Sequence, residues 1–233
     1  MTGILSPADF NHAAMKTVPE QGLVILFQGD SITDSDRSRN IKGNHLMGFG
    51  YAHLISNRLL ENYPAAMLRF YNRGISGNTI TDLAERWKKD TLDLRPDIFS
   101  ILIGVNDVMH YINGDDSFSA ANYHKEFIAL IENTKEKLPD ILLVLCEPFI
   151  LPAGIIQENL EVWNEQMVLR QEIVNKLART YNAVFVGLQE PFNQACHKMP
   201  ADYWTLDGVH PLSAGHELIA GQWISQVTKA ITF

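Results

Sequence analysis

Five short apolar runs punctuate the chain: Leu23–Phe27, Met67–Tyr71, Ile98–Ile103, Ile141–Cys146 and Ala183–Val186. They are rich in Val, Ile, Leu and Phe, and they are continuously apolar rather than alternating. That suits strands covered on both faces of a parallel sheet. Between them lie longer stretches with apolar residues at three- and four-residue spacing, the period of a helix with one inward face. Gly50–Asn62 turns Leu54, Leu59 and Leu60 inward, and a second helix starts near Thr79 with Leu83 and Trp87. Ser119–Leu138 carries Tyr123, Phe127, Leu130, Ile131 and Leu138 on one stripe. Leu160–Tyr181 carries Trp163, Met167, Val174 and Leu177, and Ser213–Ile231 carries Ile219, Trp223 and Val227. Strand–helix alternation of this kind predicts a three-layer α/β/α sandwich around a five-stranded parallel sheet. Right-handed crossovers then bring every strand C-terminus to one edge, where such sheets bind ligands.

The length of 233 residues is that of one large domain, here 1–233 with residues 1–21 as an N-terminal arm. Such a chain buries a full core without disulfides or metal. The formal net charge of −8 argues against nucleic acid, which needs a basic face. No run of about 18 apolar residues suggests a membrane span. Cys146 sits in a predicted strand and Cys196 in a polar stretch beside His197, and both read as free thiols. Met1–Phe10 lacks the basic and apolar regions of a signal peptide, so a cytoplasmic protein is expected unless a leader was removed.

The segments after the predicted strands carry the chemistry. Gln28-Gly29-Asp30-Ser31-Ile32-Thr33 follows the first, and Asn72-Arg73-Gly74-Ile75-Ser76-Gly77-Asn78-Thr79 the second. Gly104-Val105-Asn106-Asp107 follows the third, and Trp204-Thr205-Leu206-Asp207-Gly208-Val209-His210-Pro211 comes after the fifth. A serine at Ser31 would project at the sheet edge as a nucleophile if a base took its proton; equally, Gly-Asp-Ser could be a turn with a helix cap. Asp207 and His210, three residues apart, can meet within one turn, so that the carboxylate orients the imidazole as base. A surface Asp–His pair before a helix is the simpler reading of those two alone. A backbone N–H at Gly77 and the Asn106 amide could stabilise an oxyanion, or be a turn residue and a cap. Asp107 reads as a cap.

Together, in this order, these four blocks resemble the SGNH, or GDSL-type, hydrolases. The resemblance covers roughly Leu23–Val227, with Ile32 where the family name has leucine. It implies a flavodoxin-like sandwich and a serine esterase with catalytic Ser31, Asp207 and His210. The oxyanion hole would comprise Ser31, Gly77 and Asn106, with Gly74 the lesser alternative to Gly77. Within the family the sequence is most similar to carbohydrate esterases such as acetylxylan esterases. The expected reaction is removal of short acyl groups, acetyl above all, from a polar alcohol such as a small-molecule or oligosaccharide ester. No cofactor or metal is expected, because Asp34-Ser35-Asp36 has no further cluster to complete a ligand set. Asp30, Arg37 and Trp204 are candidate substrate contacts, and the polar loop Asp34–Phe49 could bind substrate or line a subunit contact in a homo-oligomer. Two other functions fit less well: a lysophospholipase or thioesterase, which would want an apolar groove, and a non-catalytic flavodoxin-like binding module, which would not require Asp207 and His210.

Overall fold

The computed structural model describes residues 16–232. Five parallel strands form one sheet in the order β3-β2-β4-β5-β6: β2 (Val24–Gly29), β3 (Arg69–Asn72), β4 (Ile98–Leu102), β5 (Leu142–Cys146) and β6 (Val184–Val186). The expected sandwich is thus present. Successive residues of each strand feed opposite cores, as the pleat requires. Ile25 and Phe27 of β2, and Val144 and Cys146 of β5, face the core built with α2 (Tyr51–Asn62) and α10 (Ser213–Val227). Leu26 of β2, and Leu143 and Leu145 of β5, face the core built with α3 (Ile80–Asp90), α5 (Ala120–Lys137) and α7 (Leu160–Thr180). Because both faces are covered, the strands read as unbroken apolar runs.

Buried polar groups within these cores are paired across elements. Trp223 on α10 donates Nε1–H to Ser100 Oγ in the middle of β4 at 2.9 Å, and Trp87 on α3 donates to Thr134 Oγ1 on α5 at 3.0 Å. Leu60, expected inward, is exposed, whereas Leu59 is buried. Both cysteines are free, Cys146 buried and Cys196 half-buried.

Several short elements carry no periodic signal: α1 (Ser31–Asp34), α4 (Val105–Ile112), α6 (Gly154–Gln157), α8 (Gln189–Cys196) and α9 (Ala201–Trp204). The last predicted helix stops at Val227, not Ile231. Ile231 and Thr232 instead form β7, paired in parallel with β1 (Lys16–Thr17). Part of the expected N-terminal arm is therefore a strand, and residues 1–15 of it lie outside the described residues. No helix among the described residues is long and apolar enough to cross a membrane.

The strand order decides where a ligand meets the sheet. From β2 the chain passes to β3 on one side and then to β4 on the other, so the sheet's switch point lies between β2 and β4. Ser31 and Asn106 follow these two strands.

Candidate active site

Gly29 ends β2 with φ +155°, and a Cβ there would lie 2.2 Å from Leu102 O of β4. Only glycine lets the chain turn this close to its neighbour. Asp30 then caps α1, its Oδ1 accepting from Ile32 N at 3.0 Å. Ser31 is the first residue of that turn and is half-buried, so its hydroxyl stands at the sheet edge.

The partner loop arrives from the far end of the sequence. Thr205 and Pro211 form an antiparallel bridge, Leu206 N donates to His210 O, and Gly208 O accepts from Leu151 N. Within this hairpin Asp207 Oδ1 accepts from the backbone N–H of Val209 and of His210. Its other oxygen, Oδ2, lies 2.7 Å from His210 Nδ1, and His210 Nε2 lies 2.8 Å from Ser31 Oγ. Acceptor-only Asp207 requires the proton on Nδ1, which leaves the Nε2 lone pair for the serine hydroxyl. Burial pushes the Asp207 carboxyl up, but the backbone and ring N–H groups outweigh it and hold the carboxyl below its ordinary value. The carboxylate thus stays charged beside the imidazole. The His210 side chain is 45% exposed, so the site opens directly to solvent.

The glycine-bearing loop after β3 is bonded to the serine turn and to Asn106. Ile75 N donates to Gly29 O, and Ser76 N to Asp34 Oδ2. Buried Asn72 bridges Thr33 O and Met47 O through Nδ2, while its Oδ1 accepts from Gly74 N. Asn106 Nδ2 donates to Asn78 O at 2.9 Å. Gly77 has φ +82° and open space on its Cβ side, and no protein acceptor takes its N–H among the described residues. The structure therefore brings Ser31, Asp207 and His210 together, and hydrogen bonds join the Gly77 loop to Gly29 and Asp34, on either side of Ser31, and Asn106 to that loop.

Residues 27–218 match the model of the GDSL-like Lipase/Acylhydrolase family. The chain belongs to that family. It is a carboxylic ester hydrolase. An acetylxylan esterase from Geobacillus stearothermophilus is 31% identical over 218 residues, covering 88% of this chain and 94% of that one. Its crystal structure superposes with a TM-score of 0.78 over 90% of this chain and 96% of that one, at 30% identity. A protein described as a GDSL-like lipase from Parabacteroides merdae is 40% identical, with TM-score 0.85 over 94% of this chain and 99% of that one. Variants of the Geobacillus esterase lacking one serine, one aspartate or one histidine are described as catalytic mutants, the last two residues lying three positions apart.

The candidate substrate contacts fare differently in this GDSL-family hydrolase. Asp30 is buried and serves as the α1 cap; burial pushes its carboxyl up to about 7 against the Ile32 N–H and the His210 charge. Arg37 is a strut, its 9% exposed side chain donating Nε–H to Gly74 O at 2.9 Å. Trp204 donates Nε1–H to Met199 O and lines a groove of about 660 Å³ with residues of α8 and α10, a groove that includes none of Ser31, Asp207 and His210. Asp107 is a cap, as expected, but of another helix: it is buried and accepts from Ile80 N at the start of α3.

The polar loops are largely bonded to themselves. Arg39 grips Asp34 with two nitrogens at 2.6 and 2.5 Å, and Thr79 forms a reciprocal cap with Asp82. Asp34 is therefore occupied by arginine, and no group of three His, Cys, Asp or Glu side chains among the described residues could hold a metal ion. Two residues beside the site have roles that the sequence did not reveal. His216 accepts from Tyr51 N through Nδ1, and burial pushes its imidazole down to about 4. Arg86 binds the glycine loop. His216 meets Tyr51 only in the folded chain, and the bond from Arg86 to Asn78 crosses from α3 to the loop before it.

Proposed function

We propose that this hydrolase removes short acyl groups, acetyl above all, from a polar alcohol such as a sugar hydroxyl, using Ser31, His210 and Asp207. The observation that carries this reading is the continuous relay from Ser31 Oγ to His210 Nε2 to Asp207 Oδ2 at 2.8 and 2.7 Å.

His210 Nε2 takes the Ser31 proton as the serine oxygen attacks the ester carbonyl. Asp207 keeps the imidazole in the needed tautomer and balances the imidazolium. The carbonyl oxygen becomes an oxyanion held by the Ser31 and Gly77 N–H groups and the Asn106 amide. Collapse expels the alcohol, which receives the proton from His210. Water, deprotonated by His210, then attacks the acyl-serine; the serine oxygen leaves with that proton and the acid is released.

The acyl size rests on the open site and on the relative. Three cavities, of about 660, 510 and 240 Å³, are lined by neither Ser31 nor His210, and a long chain gains about 0.8 kcal/mol per methylene only in a groove that buries it. The acetylxylan esterase spans nearly the same length, and its catalytic aspartate and histidine share the spacing of Asp207 and His210. One observation favours a lysophospholipase or thioesterase instead: Leu206, beside Asp207, is 70% exposed, and Ile155, beside the Gly154 that packs on Asp207, is 52% exposed. A series of 4-nitrophenyl esters from acetyl to octanoyl separates the two. Rates should fall steeply with length, and acetylated xylo-oligosaccharides should release acetate. A maximum at octanoyl would overturn the short-acyl reading.

A further inference from the structure

Asn106 has one neighbour that determines how its amide points. Its Nδ2 donates to Asn78 O, and a carbonyl oxygen only accepts, so the amide nitrogen must face it. One amide proton is thereby fixed, and the second is directed by the planar geometry of the group. The oxyanion-directed proton is consequently only as well placed as the Asn78 carbonyl.

That carbonyl shares its peptide group with Thr79 N–H, which donates to Asp82 Oδ2 at 2.7 Å in the α3 cap, and the loop before it is held by Ile75 N on Gly29 O and Ser76 N on Asp34 Oδ2. Asn78 N reaches Ile75 O at 3.2 Å, and Ser76 and Gly77 are exposed. The Asn78 side chain is held separately, from further along α3. Arg86 donates Nε–H to Asn78 Oδ1 at 2.8 Å, NH1 to Arg73 O at 2.8 Å, and NH2 to Gly29 O at 3.4 Å. Asp90, one turn further along α3, lies 3.2 Å from NH1 and balances the charge. The side chain is 15% exposed. One planar group therefore ties the end of β2 just before Ser31, the end of β3, and the residue after Gly77.

We infer that Arg86 is a positioning residue for the oxyanion hole, acting through Asn78 on Asn106. It touches no substrate. Lysine cannot replace it, because one ammonium does not span three segments in a plane. This inference rests on the oxyanion role proposed for Asn106.

The test is a mutant cycle on 4-nitrophenyl acetate, with Ser31→Ala as the reference for the mechanism. Arg86→Lys should lower kcat about tenfold with KM within about twofold, since donors misplaced by a fraction of an ångström act only in the transition state. Asn78→Ala removes the Nε partner and leaves the Arg86 bonds to Arg73, Gly29 and Asp90 intact, so it guards against a folding artefact. It should give the same kcat loss, and the Arg86→Lys/Asn78→Ala double variant should be no slower than the slower single variant. In an Asn106→Ala background, Arg86→Lys should lose most of its effect. An ethylboronic acid, as a tetrahedral mimic, should bind more weakly to both single variants in proportion to kcat. Full-size loss in the Asn106→Ala background, or a KM change at constant kcat, would overturn the role of Arg86 while leaving the triad standing. Substantial turnover by Ser31→Ala would instead remove the mechanism and the inference with it.

Discussion

Asp207 shows why a single side chain can govern this site. One of its oxygens holds two backbone N–H groups of its own hairpin, and the other holds the His210 ring. Asp207→Asn should keep the hairpin but let the amide present an N–H to His210 Nδ1, favouring the wrong tautomer; kcat should fall steeply while the circular dichroism spectrum is unchanged. Equal kcat in the variant would remove the carboxylate from the mechanism. Asn106→Ala deletes the oxyanion donor proposed for this site, a change that typically costs about 3–4 kcal/mol, or roughly 10²–10³ in kcat. Steady-state kinetics should place that loss in kcat and little in KM. At this scale the sequence was most legible where partners are close along the chain. Asp207 and His210 are three residues apart, and Asp30 caps within its own turn. The bonds that hold Arg37 to Gly74 O and Trp204 to Met199 O left no mark in the sequence, because these contacts are made only on folding.

Among the elements, length determined what could be read. Helices of 11 to 21 residues such as α3, α5 and α7 show their period in the sequence. The four-residue α1, which presents Ser31, is too short to show one, and its existence rests on the Asp30 cap and on Gly29. Gly29 is the element-scale weak point. A methyl group there would meet Leu102 O at 2.2 Å and Thr33 Oγ1 at 2.4 Å, so β2 and β4 would have to separate beside Ser31. Gly29→Ala should cost at least about 2 kcal/mol through strain at φ +155° and lost strand contact. Thermal unfolding should report a lower Tm together with reduced kcat. An unchanged Tm would mean that the two strands are less tightly coupled than the geometry requires. The β1–β7 pair escaped the sequence for a different reason: two-residue strands with no alternation leave no pattern.

For the whole molecule, the buried ionisable groups around the site make stability depend on pH. Burial raises Asp30 and Asp107 from 3.8 to about 7, so the folded protein binds protons there that the unfolded chain has released. Their contribution is complete below 3.8 and is lost as pH rises through about 7. His216 acts oppositely. Burial lowers it from 6.5 to about 4, so its contribution is present above 6.5 and is lost as pH falls through about 4. Asp107→Asn keeps an acceptor for Ile80 N–H and removes one of the two acids. Its Tm should therefore decline less than that of the parent between pH 5 and pH 8; identical slopes would contradict the assignment.

The five-stranded parallel sheet covered on both faces followed from alternation of apolar runs and amphipathic stretches, and so did the gathering of the strand ends on one edge, whereas the strand order and with it the switch point came only from the folded chain. The most direct test of the central claim is peptide mapping after inactivation by a short-chain alkylphosphonate ester. The account predicts one phosphonyl group per chain, carried on Ser31, with activity falling in step with labelling and no labelling in His210→Ala on the same timescale. A stoichiometric adduct on another residue, or full activity in protein labelled at Ser31, would contradict it.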